Sequence, residues 1–181
     1  MLKNTKMQSQ NTQSRTLFSH QKGVTSLKQT NQYMGAFIFN GEFYNFERYK
    51  NILKNEGIKF SSTGDTEVFL KLYEKKGIDF VYDKNIDSLF AIAIHDMNKN
   101  KIYILRDWPG RIPLYYFFDQ KNFIFSSELK AFRALKNISL QKPEELEPGH
   151  YIEFDLINYK ISKKRFYKPI NNIIKNDEEI L

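Results

Sequence analysis

Asn40, Gly41 and Glu42 stand consecutively where an apolar run ends, in the stretch Phe39-Asn40-Gly41-Glu42-Phe43-Tyr44-Asn45. A side-chain amide, a glycine N–H and a carboxylate brought to one strand end are equipped to hold a polarised carbonyl, the amide and the N–H donating to its oxygen. Glycine suits the middle position because a backbone without Cβ lets a ligand approach closely. On these seven residues alone, a turn between a strand and a helix is the simpler account. The second acid of interest is Asp65, in Ser61-Ser62-Thr63-Gly64-Asp65 ahead of an amphipathic segment, where an acid ordinarily serves as a helix cap. Other chemistry is thin. There is no cysteine, so disulfides, thiolate zinc sites and a cysteine nucleophile are excluded for this sequence. The three histidines, His20, His95 and His150, show no metal-ligand spacing.

The elements that must position these residues read as follows. Ala36-Phe37-Ile38-Phe39 is a buried strand with Asn40-Gly41 as its exit. Asn45 caps a helix over residues 46–56, with Phe46, Tyr49, Ile52 and Leu53 on its apolar face and Gly57 behind it. Ile58-Lys59-Phe60 alternates as a short strand would. A second helix runs from Thr66 to Lys76, with Val68, Phe69, Leu72 and Tyr73 inward and Asp65 or Thr63 as cap. Residues 88–94 are apolar on both alternating faces, as a strand covered on two sides must be. Hairpin partners follow at 101–105, 113–118, 123–126, 149–154 and 159–161, and a helix spans 127–136. Hairpins with two or three helices argue for α+β, antiparallel sheets stacked with helices outside.

Residues 1–15 are polar and without apolar period, and read as a flexible arm. The 181 residues fit one domain with a sizeable core. The net charge of +7 comes from lysines spread along the chain, which favours a lysine-rich surface over a nucleic-acid footprint. No apolar run is long enough to span a membrane and no signal h-region opens the chain, so a cytoplasmic location is expected.

Six segments, taken in order, resemble the glutaminase domain of glutamine-dependent asparagine synthetases, the class II glutamine amidotransferases. They are residues 39–45, similar to N-G-E-I-Y-N; 61–68, similar to S-D-T-E-V; 89–96, similar to F-A-F-A-I-W-D; 106–116, similar to R-D-x-x-G-x-K-P-L-Y-Y; 126–131, similar to A-S-E-L-K-A; and 148–151, similar to P-G-H-Y. The resemblance covers residues 35–169. It leaves 1–34 as a poorly matched N-terminal segment and 170–181 as the start of a further region.

The resemblance implies an Ntn-hydrolase-like αββα sandwich of two antiparallel sheets. It also implies a reaction, in which an N-terminal cysteine attacks the glutamine side-chain amide and a thioester releases first ammonia and then glutamate. By the same resemblance, Asn40 and Gly41 form the oxyanion hole, Asp65 with help from Glu42 holds the substrate α-ammonium, and Lys22 stands where an arginine clamps the α-carboxylate. Two departures matter. Residue 2 is Leu2, so the nucleophile is absent, and Lys22 is a point charge without the arginine fork. Metal and cofactor are expected only in an ATP- and Mg-dependent synthetase domain, whose S-G-G-x-D-S motif this chain lacks. Two readings follow: an asparagine-synthetase-type amidotransferase domain inactive for want of its nucleophile, or a non-catalytic glutamine-binding or docking module for a separate synthetase. Arg106 and Asp107 read as an internal pair or a turn brace, with a place in the pocket lining as the lesser alternative, and His95 as structural.

Overall fold

The computed structural model describes residues 17–18, 35–119, 122–133 and 142–168. Within them lie nine strands, β1 (Leu17–Phe18), β2 (Gly35–Phe43), β3 (Ser88–Asp96), β4 (Lys101–Arg106), β5 (Tyr115–Phe118), β6 (Phe123–Ser126), β7 (Glu144–Glu145), β8 (His150–Asp155) and β9 (Lys160–Arg165). The helices are α1 (Phe46–Asn55), α2 (Asp65–Lys76) and α3 (Lys130–Arg133), with a 3-10 helix at Gly77–Tyr82.

The strands form two sheets, one of five in the order β2-β3-β4-β8-β9 and one of four in the order β1-β6-β5-β7. All pairings are antiparallel except that of β1 with β6. Strand alternation sorts the side chains into layers. Ala91, Ala93, Ile102, Ile104, Ile152 and Phe154 of the five-stranded sheet meet Tyr116, Phe123 and Phe125 of the four-stranded one. On the other face of the five-stranded sheet, Phe37, Phe39, Ile92, Ile94 and Leu105 pack under Val68, Phe69, Leu72 and Tyr73 of α2. Phe132 of α3 covers Phe117 and Ile124 on the far side of the smaller sheet. The result is the expected α+β arrangement of helix, sheet, sheet and helix, with β2 as an outer strand of the larger sheet.

Several local expectations are corrected. Asn40-Gly41 does not end a strand. β2 continues through Glu42 to Phe43, because Gly41 keeps register with Phe90 and Glu42 with Leu89. The chain leaves the sheet instead at Tyr44-Asn45. Residues 58–60 form no strand; Ile58 N–H bonds the Leu53 carbonyl at 3.0 Å, and Ile58 and Phe60 pack against the core from a loop. In α1, Lys50 is buried and Ile52 is 43 % exposed, so the apolar face is rotated toward Tyr49 and Leu53. Lys50 stays inside because its ammonium bonds the Thr63 carbonyl at 3.0 Å. The residue before α2 is Gly64, with no side-chain cap, and Asp65 is its first helical residue. Glu144–Glu145 adds a short strand, paired with β5, that is not among the expected strands. Of the helix expected at 127–136, residues 127–133 are described, and only Lys130–Arg133 is helical; residues 127–129 form the turn after β6.

Candidate functional site

Asn40, on the edge strand β2, shares a face with Ile38, the face turned to the smaller sheet. Its side-chain amide crosses between the sheets: Nδ2 donates to Ser127 Oγ at 3.1 Å, in the turn that follows β6. Next along the strand, Gly41 has φ +151, and a Cβ built there would fall 1.9 Å from the Leu89 carbonyl oxygen. No other residue fits that backbone, so glycine here is a steric requirement.

The hydrogen-bond phase of the sheet decides where the Gly41 N–H faces. Phe90 sends its carbonyl to the Asp107 N–H at 2.9 Å, on the β4 side. In an antiparallel ladder, consecutive residues alternate the side on which they bond. Gly41, which pairs with Phe90, therefore sits at a non-hydrogen-bonded position, and its N–H faces away from β3, toward the side of β2 on which no described strand lies. Phe43 occupies the next such position. Its N–H goes out to Asp65 Oδ2 at 3.1 Å, as the phase requires. Outward donors thus recur every second residue, about 6.7 Å apart, and the further one is already capped by a carboxylate.

Asp65 is held in place by two devices. Phe43 N–H takes Oδ2, and Thr66 Oγ1 donates to Oδ1 at 3.3 Å. Behind it, the buried Glu67 gathers the Ser61–Ser62 loop: the two backbone N–H groups and the two hydroxyls all donate to its carboxylate. Burial pushes the Glu67 carboxyl up, but these four donors outweigh it and hold the group at about 2. The loop before α2 is thus fixed on an anion, and Asp65 inherits a defined position. A carboxylate accepts about four hydrogen bonds, so Asp65 keeps capacity for a cationic ligand. Glu42 is exposed on the Asn40 side of β2. Asn40, Gly41, Glu42 and Asp65 thus cluster within one short span of the β2 edge. Lys22 lies outside the described residues.

Arg106 lies in the same sheet row as Asn40, with Ala91 between them. Its guanidinium is spent on structure: Nε donates to the Ile112 carbonyl, one terminal nitrogen to the Leu146 carbonyl and Glu145, the other to the Gly110 carbonyl. Asp107 does not bond it. The Asp107 carboxyl is fully buried, accepts the Arg111 N–H through Oδ2 and leaves Oδ1 without a partner. Burial pushes this carboxyl above its ordinary value. His95 is half-buried and burial lowers its pKa, consistent with a structural role.

Two cavities have none of Asn40, Gly41, Glu42 and Asp65 in their walls. One of about 280 Å³ is walled by Phe90, Trp108, Phe166 and Tyr167, and one of about 750 Å³ by Tyr115, Phe132 and Glu145. No group of His, Cys, Asp and Glu suited to a metal ion occurs among the described residues. No helix among them is long and apolar enough to cross a membrane.

In the sequence Ser127 reads only as an alternative helix cap to Ser126 and as part of the motif over residues 126–131, not as a partner of Asn40, and Phe43 bears a main-chain donor that no side-chain pattern marks.

A family model described as a glutamine amidotransferase domain matches residues 16–176. An asparagine synthetase (glutamine-hydrolysing) of Bacillus subtilis is 37 % identical over 66 % of this chain and 19 % of its own length. One of Arabidopsis thaliana is 33 % identical over 72 % of this chain and 20 % of its own length. The chain thus spans about a fifth of these relatives. Among solved structures, the glutamine phosphoribosylpyrophosphate amidotransferase of B. subtilis superposes with a TM-score of 0.65 at 24 % identity, over 80 % of this chain and 31 % of that one. The likeness is one of fold.

Proposed function

We propose a function on one premise: the chain belongs to the glutamine amidotransferase domain family, in the class II type that asparagine synthetases carry. Its β2 edge is a cradle for the side-chain amide of glutamine. The Asn40 amide and the Gly41 N–H receive the carbonyl oxygen, and Asp65, with Glu42 beside it, receives the α-ammonium. One observation carries this reading: the outward-facing N–H of Gly41 and the carboxylate-capped N–H of Phe43 lie one strand repeat apart. The short aliphatic chain of glutamine separates a carbonyl from an ammonium by a comparable span. Lys22 is the proposed partner of the α-carboxylate.

As a 181-residue polypeptide the chain binds glutamine without hydrolysing it, because it has no cysteine to attack the amide. Donors alone stabilise an oxyanion but do not form the thioester. In an assembly with an ATP- and Mg-dependent synthetase domain, the domain would serve asparagine formation in the cytoplasm. Loss of the nucleophile beside retention of Asn40, Gly41 and Asp65 favours a second form of the same reading, a glutamine-binding or docking module for a separate synthetase.

Calorimetric titration with glutamine, run beside an assay for released glutamate, tests both. The expected outcome is saturable binding, no glutamate, and at least about ten-fold weaker binding after Asn40→Ala, the loss of one ligand hydrogen bond. Glutamate release at amidotransferase rates would refute the inactive reading. Absence of binding would refute the cradle.

A further inference from the structure

We propose that Ser127 is a positioning residue for the Asn40 amide. The proposal rests on the glutamine reading above for its functional consequence. Its structural core stands on the Asn40–Ser127 contact alone.

Asn40 needs such a residue because of where it stands. Among the described residues β2 is an outer strand, with no other described strand beside Asn40 on that flank. On the other flank its partner is Ala91, whose methyl is too small to hold an amide by packing. A side chain with such neighbours samples several rotamers and either orientation of its terminal amide. A donor that must be aimed before the ligand arrives cannot be left so free.

Ser127 supplies the constraint from the opposite sheet. Its Oγ accepts one Nδ2 hydrogen at 3.1 Å, across 87 positions of sequence. The hydroxyl is itself well mounted. Ser126, the last residue of β6, is buried and paired with Tyr115, and its Oγ accepts the Glu128 N–H at 3.1 Å. That turn fixes the backbone on either side of residue 127. The contact tethers the amide end to residue 127 and limits the side-chain rotamer, and with one Nδ2 hydrogen committed to Ser127 the second Nδ2 hydrogen is left for a carbonyl oxygen. The contact also ties the mouth of the sandwich together, because it joins the edge of one sheet to the end of the other.

The test compares the full chain with Ser127→Ala, which removes the acceptor, and Ser127→Thr, which keeps it. The first readout is the side-chain amide signal of Asn40 in a nitrogen–proton NMR spectrum, assigned by its loss in Asn40→Ala. In the unsubstituted chain the two Asn40 amide protons should exchange with solvent at rates differing by about ten-fold, the scale of one hydrogen bond. Ser127→Ala should bring the two rates together, and Ser127→Thr should keep them apart. The second readout is glutamine affinity, about ten-fold weaker in Ser127→Ala and within about two-fold in Ser127→Thr. An Asn40 signal unchanged in Ser127→Ala overturns the proposal, as does equal weakening of glutamine binding in both variants. If the unsubstituted chain takes up no glutamine, the cradle reading falls, and the amide exchange rates still decide whether Ser127 holds Asn40.

Discussion

At the scale of single residues, Gly41 is the least replaceable position in the cradle. Its mirror-side backbone and the Leu89 carbonyl leave no volume for a methyl group. Gly41→Ala should cost more than about 2 kcal/mol of stability, measured by urea denaturation, because strain and overlap act together. Asp107 makes a different prediction. Burial pushes its folded-state pKa above the unfolded value, so its contribution favours the native state below the unfolded pKa and is lost as pH rises through the folded one. Asp107→Asn should therefore flatten the decline in stability on the alkaline side of the ordinary carboxylate range, as followed by thermal melts across pH. Residue types at both positions were legible in the sequence, but their roles were not. Asn-Gly is a turn dipeptide wherever local rules decide, and only pairing with Phe90, 49 positions away, keeps Gly41 inside a strand. The tie between Asn40 and Ser127 leaves no local periodicity to find.

At the scale of elements, the loop before α2 shows how an acid can organise a site it does not enter. Glu67 draws four donors from Ser61 and Ser62, and the loop it closes sets Asp65 against β2. Its carboxyl is depressed to about 2, so the stability it confers is present above the unfolded value and lost as pH falls through the folded one. Glu67→Gln should make acid unfolding between about pH 4.5 and pH 2 shallower and lower stability near neutrality by about 2 kcal/mol, the scale of hydrogen bonds to a charged group. Circular dichroism against pH would measure both. The elements themselves were largely visible beforehand. α2 and β3 follow from unbroken apolar patterns that their burial reproduces. Residues 58–60 alternate like a strand, yet the turn closing α1 holds Ile58 by its N–H, and local alternation loses to that hydrogen bond.

At the scale of the whole molecule, the two sheets share one apolar layer and should unfold together. Phe154 spans that layer: its ring meets Phe123 at 4.7 Å, Phe118 at 5.4 Å and Tyr159 at 5.1 Å. Phe154→Ala should cost about 3–5 kcal/mol, with near-UV and far-UV transitions still coinciding in a denaturant titration. Loss of coincidence would mean that the sheets are separable. The overall architecture was legible because antiparallel pairs and a doubly covered strand permit few packings. The parallel pairing of β1 with β6 was not, since Leu17–Phe18 is too short to announce a strand.

The ring pair Trp108–Tyr167 has a consequence of an optical kind. Trp108 is the single tryptophan of the sequence, half exposed, and stacked at 4.6 Å on a residue just past the last strand. Its emission therefore reports one place, where Tyr167 follows β9 and packs on the turn after β4. Fluorescence can follow events at that ring pair, such as the peeling away of residues 166–168, with no label attached.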